Sequence, residues 1–136
     1  MTISGDGVER QTASGVIWTV GRAIVGGFFV LAGVSKLLDR EAPLAMMAEQ
    51  GMPGWLLPLV IALEIGGGLV VALGRPTRWL APVALALAAF TLATNLAFHR
   101  FWKFDGLMHR LEISLFFKNI AIMGALFLLA GRGSRA

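Results

Sequence analysis

The sequence has no cysteine and only two histidines, His99 and His109. Without cysteine there is no disulfide relay, no thiolate nucleophile, no Cys-ligated iron–sulfur cluster and no c-type haem attachment. A metal site is not expected from the two histidines. A b-type haem is disfavoured as well, because it calls for histidines on facing helices and His109 lies in the loop beyond His99. Charge is also scarce. Asp, Glu, Lys and Arg make up 15% of the 136 residues, against about 25% in ordinary soluble domains. The formal net charge of +4 is scattered, with no run of Lys and Arg, so a nucleic-acid footprint is excluded.

What is abundant is apolar side chain, at 57% of residues and a mean hydropathy of +0.75. A chain sized for one domain cannot hide that much apolar surface from water. Lipid is therefore the solvent for most of it. A bilayer core of about 30 Å needs roughly 20 apolar helical residues, and four stretches meet that length: Val16–Leu38, Trp55–Leu73, Trp79–His99 and Glu112–Ala130. Trp18, Trp55 and Trp79 stand at the starts of the first three spans, and Trp102 stands just past the third. Indoles prefer this boundary between hydrocarbon and water. The expected fold is all-α, an integral membrane four-helix bundle running antiparallel, up-down-up-down.

The connections carry turn chemistry. Gly74-Arg75-Pro76-Thr77 reads as a tight turn, and Pro43–Gln50 as a short amphipathic helix in the interface, stopped by Gly51 and Pro53. Residues 100–110 alternate aromatic and basic side chains, which suits a loop at headgroup level. Residues 1–15 and 131–136 read as short flexible tails around a domain spanning 16–130. The first span lacks a small-residue cleavage site and is not expected to be a signal peptide. An even number of spans puts both termini on one side, and the Lys and Arg count favours the cytoplasm for that side.

Ionisable residues inside spans cost about 2.5–3.5 kcal/mol each at the bilayer centre on insertion scales, which makes Arg22, Lys36, Glu64 and Lys118 the informative positions. Helical spacing puts Arg22, Gly26, Phe29, Gly33 and Lys36 on one stripe of the first span. Glu64, Gly67, Gly68 and Val71 share a face of the second, and Ala84, Ala88, Thr91, Asn95 and His99 a face of the third. On the fourth the matching stripe is Ser114, Lys118, Ala121 and Ala125. Each stripe joins polar groups to small residues, the pattern of helix contact in membranes, so all four are expected to face the bundle axis. Antiparallel threading then gathers Lys36, Glu64, Asn95, His99, Lys118 and Asn119 in one half of the bundle, with Arg22 in the other. Glu64 is the one acid inside a span rather than at its boundary, and either Lys118 or Lys36 is its natural partner. Such a pair either neutralises itself and fixes helix register or forms part of a pocket. The run Gly66-Gly67-Gly68 serves close packing, since a phosphate loop needs a strand before it.

At these residues the chain resembles the DoxX family of small four-helix membrane proteins. The resemblance rests on Ala32–Asp39 (AGVSKLLD), Gly51-Met52-Pro53, Glu64-Ile65-Gly66-Gly67-Gly68 with Gly74, and Phe117-Lys118-Asn119 followed by Gly124. It implies a bacterial-type inner (plasma) membrane protein linked to quinol oxidation or to thiosulfate:quinone oxidoreduction, as a subunit or accessory of a membrane oxidoreductase. On that reading Glu64 accepts or donates a proton. Lys36, Lys118, Asn119, Asn95 and His99 bind the ligand, quinone is the candidate cofactor, and the partners are the lipid bilayer, an oxidoreductase subunit and a further copy of the chain. Two alternatives stay open: a small anion-binding or transport module, and a structural anchor without chemistry of its own.

Overall fold

A computed structural model describes residues 5–135, and all of its regular structure is helical. Helix α1 runs over Gly5–Leu38 and α2 over Glu41–Glu49. Helix α3 covers Leu56–Leu73, α4 Thr77–Phe98 and α5 Gly106–Gly133. Four of these helices are long and apolar enough to cross a membrane. The short interfacial helix expected at Pro43–Gln50 is α2. Helices α3 and α4 fall within two residues of the expected spans, whereas α1 and α5 run well beyond their apolar stretches. Helix α1 reaches back to Gly5 through the expected tail, leaving residues 1–4 outside the described part of the chain, and α5 begins at Gly106 and carries on to Gly133. Apolarity marks where hydrocarbon begins, whereas a helix carries on into the polar zone for as long as its backbone stays paired.

Helix α1 lies along α3, and α4 lies along α5, with thinner contact between the two pairs. The first pair closes on glycine. A Cβ on Gly26 would run into the backbone of Gly68 and Ala72, and one on Gly68 into the backbone of Gly26 and Val30. Gly33 repeats this closeness one heptad on, against Ile65 and Glu64. Close backbone approach suits lipid, where association rests on packing because hydrocarbon offers no hydrophobic drive between helices.

Three of the four expected stripes face inward. Gly26, Phe29 and Gly33 are buried on α1, as are Glu64, Gly67, Gly68 and Val71 on α3, and Ala84, Ala88, Thr91 and Asn95 on α4. The fourth is corrected. Ser114, Lys118 and Ala121 are exposed, and the inward face of α5 is Leu115, Asn119, Ile122, Leu126 and Leu129, rotated by one residue. The cause is complementarity of size: α4 offers Ala84 and Ala88, and α5 fills the space against them with Leu126 and Leu129.

The core is lopsided. Phe29, Val71, Leu80, Ala84, Leu87, Leu126 and Leu129 fill the half near the termini. The other half has a smaller cluster of Met47, Leu57 and Ile61 beneath α2. There the helix pairs part and leave a cavity of about 670 Å3. The glycine contact gives a sharp test. Gly26→Ala should lower unfolding stability in micelles by about 1–3 kcal/mol through overpacking. Gly27→Ala, whose Cβ meets nothing within 4 Å, should raise it by about 0.5–1 kcal/mol through helix propensity.

Candidate functional site

The site starts from Lys36 in the last turn of α1 and Glu64 in the middle of α3. Lys36 Nζ lies 2.9 Å from both carboxylate oxygens of Glu64 and donates to the Ala32 carbonyl at 3.4 Å. The Glu64 side chain is 5% exposed and that of Lys36 29%. The carboxylate is thus sealed in, while the ammonium stem reaches it from the rim. Glu64 sits in a π-helical turn, Leu63–Gly67, set into an otherwise α-helical span. Such turns widen the helix by one residue and recur at functional positions. Here the turn coincides with the start of the glycine run, and Gly33 lets α1 press against it. Nothing in the residue pattern marks a π turn; the only available signal is an acid followed closely by three glycines.

Across the gap, α4 and α5 are tied together by polar groups. Asn95 is fully buried, and its Nδ2 donates to the Phe116 carbonyl at 3.1 Å. Its Oδ1 accepts from Asn119 Nδ2 at 3.0 Å. His99 Nδ1 lies 2.9 Å from Glu112 Oε2. Glu112, which the sequence marked only as the start of the fourth span, thus joins the site through His99. At the membrane surface Arg100 donates to the Gln50 side chain, joining the end of α2 to the α4–α5 connection.

Lys36, Glu64, His99, Lys118 and Asn119 all line the one cavity of about 670 Å3, and Asn95 stands behind Asn119. The remaining wall is mostly Phe, Leu and Met, including Phe29, Phe90, Met46 and Met47. Of the two lysines proposed as partners for Glu64, Lys36 takes both oxygens. Lys118 is exposed at the cavity wall and forms none of the ion pairs or hydrogen bonds found among the described residues. Its Cα–Cβ bond tilts toward the N-terminus of α5, hence toward the end where Lys36 and His99 sit. Arg22 lies apart, beside Gly74 at the other end of the bundle. Among the described residues no group of three or more His, Asp or Glu is placed to hold a metal ion.

This arrangement suits a ligand with an apolar body and a small polar head. The volume falls within the roughly 300–1,000 Å3 of small-molecule pockets, which are largely apolar with a few convergent polar groups. Phe28, Met46 and Leu59 line the cavity and are themselves exposed. In a bilayer the opening therefore includes acyl chains as well as water.

Comparison with known proteins agrees with this architecture. The DoxX family model matches residues 17–100. The chain is 37% identical over 117 residues to inner membrane protein YqjF of Escherichia coli (strain K12), covering 86% of this chain and 84% of that protein. It is 30% identical over 123 residues to inner membrane protein YphA of the same organism, covering 89% of this chain and 86% of the relative. No solved structure gives a significant match. With most of its length shared with such relatives and the family pattern running from the first span through the third, this four-helix membrane chain belongs to the DoxX family.

Proposed function

We propose that the chain is an inner-membrane subunit of a quinone-linked oxidoreductase and that its cavity holds the quinone or quinol headgroup. The observation that carries this reading is the meeting of Lys36, Glu64, His99, Lys118 and Asn119 around one apolar cavity with lipid-exposed residues at its rim. A quinol gives up two protons with its two electrons. Glu64 is the acceptor for one proton, the second leaves to water at the cavity mouth, and Lys36 holds the carboxylate in place through both oxygens. Asn119 and Lys118 donate hydrogen bonds to the opposite oxygen. The electrons pass to the partner subunit, since a chain without cysteine has no thiol couple of its own. Both termini face the cytoplasm, and a second copy of the chain is a further partner.

A second reading, a small anion-binding or transport module, draws on one specific feature: among the described residues Lys118 has no carboxylate partner, and Glu64 is already matched by Lys36. A sulfur oxyanion such as thiosulfate would then be the counter-ion of Lys118. If neither ligand binds, the chain is a structural anchor.

Two measurements separate these readings. Purified protein in nanodiscs, titrated with a short-chain ubiquinone, should bind it, and Glu64→Gln should weaken binding about tenfold or more, as expected for loss of a charge-assisted contact. An unchanged affinity would count against the quinone site. Lys118→Gln should change quinone affinity by about threefold or less, because its neutral hydrogen-bond donor survives. If the same substitution instead abolishes thiosulfate binding or flux, the anion reading replaces the quinone one.

A further inference from the structure

The end of the bundle opposite the cavity carries an independent feature. Trp18 and Arg22 stand one turn apart on α1, level with the turn that joins α3 to α4. Helix α3 stops there at Gly74, in the left-handed region at φ +64°. A side chain at Gly74 would overlap the Arg22 guanidinium, so glycine is required by the backbone and by the arginine together. From the last turn of α5, Arg132 brings its guanidinium 4.3 Å over the Trp18 ring. Gly133 packs against Leu80 and Ala81, which places the end of α5 beside the start of α4. Arg22, Arg75, Arg78, Arg132 and Arg135 all belong to this end.

The two ion pairs among the described residues both lie at the cavity end, so neither involves these charges. Residues 74–78 and 131–136 contain no acid, and the acids at the start of α1, Asp6 and Glu9, precede Trp18 by about 13 Å or more along the helix axis. Arg22 is the pivotal one. Its Nε is buried with no acceptor, and no hydrogen bond or ion pair from the described residues reaches its guanidinium. The C-terminal end of α3 beside it makes a favourable place for a cation. That end supplies no net negative charge. The planar fork of arginine matches phosphate oxygens in pairs, and Trp18 marks the headgroup level, where phosphate is the abundant anion.

We infer that this end binds the phosphate of an anionic phospholipid, with Arg22 as the fixed contact and Arg132, braced on Trp18, as the second. Phosphatidylcholine carries the same phosphate with a quaternary ammonium, which the arginines around Trp18 and Gly74 would repel. Basic clusters at the ends of membrane helices recognise acidic headgroups on this principle. The site is separate from the cavity, so its failure leaves the ligand readings above untouched.

Native mass spectrometry of the full chain in neutral detergent tests the inference, with titrations of phosphatidylglycerol, phosphatidylcholine and inorganic phosphate. The first phosphatidylglycerol should bind about tenfold or more tightly than phosphatidylcholine. Arg22→Gln should remove that preference, and Lys118→Gln should keep it. Should Arg22→Gln fail to fold, Arg22→Lys serves instead: it keeps the charge but loses the fork, and a several-fold loss of preference is expected. Equal affinity for the two lipids, or a preference that survives both Arg22 substitutions, overturns the site. Displacement of phosphatidylglycerol by millimolar inorganic phosphate overturns the lipid as its occupant.

Discussion

One carboxylate is buried among four membrane-spanning helices, and one ammonium takes both of its oxygens. The Lys36–Glu64 pair is the constraint that the remaining architecture accommodates. An unpaired carboxylate in this position would be costly in hydrocarbon, so α1 and α3 must stay in the register that joins them. Gly26, Gly33 and Gly68 make that register attainable by letting the two backbones touch. The π turn holds Glu64 at the point of contact. Because Lys36 spends its charge here, Lys118 on the far pair is left without an ion-pair partner among the described residues, at the wall of the cavity between the pairs.

The bundle therefore divides along its length. Near the termini, leucines of α5 fill the space against alanines of α4, and the four helices share one apolar core. Toward the other side the pairs separate, and hydrogen bonds take over from packing, with Asn95 to Asn119 and His99 to Glu112 holding α4 to α5. Helix α2, with Met46 and Met47 over the gap, is fastened to the α4–α5 connection through Gln50 and Arg100. A packed end and an open end let a small membrane bundle keep a cavity without losing its fold.

Much of this was legible in the residues. Length and apolarity located every span, and periodicity turned Lys36, Glu64, Asn95 and His99 toward a common half. The choice between Lys36 and Lys118 as partner for Glu64 was not legible, because it depends on how far α1 can approach α3. The inward face of α5 was misread for a related reason. Small residues mark both faces of the α1–α3 contact but only one face of the α4–α5 contact, where α4 supplies the small side and α5 the bulky one. The extra helix at Gly5–Gly15 and at Gly106–Leu111 was invisible to an apolarity criterion. The π turn has no side-chain period to betray it.

The central claim is that Lys36 and Glu64 act as one unit inside the membrane. A double-mutant cycle on unfolding in micelles, using Lys36→Met, Glu64→Gln and the two together, tests it most directly. Breaking a buried pair from one side leaves the other charge uncompensated. Lys36→Met alone should therefore destabilise by about 2–3 kcal/mol, discounted for the partial exposure of the lysine. The double substitution should recover most of that loss, giving a coupling of about 1.5 kcal/mol or more. Additive losses, with the double variant as unstable as the sum of the singles, would contradict the account.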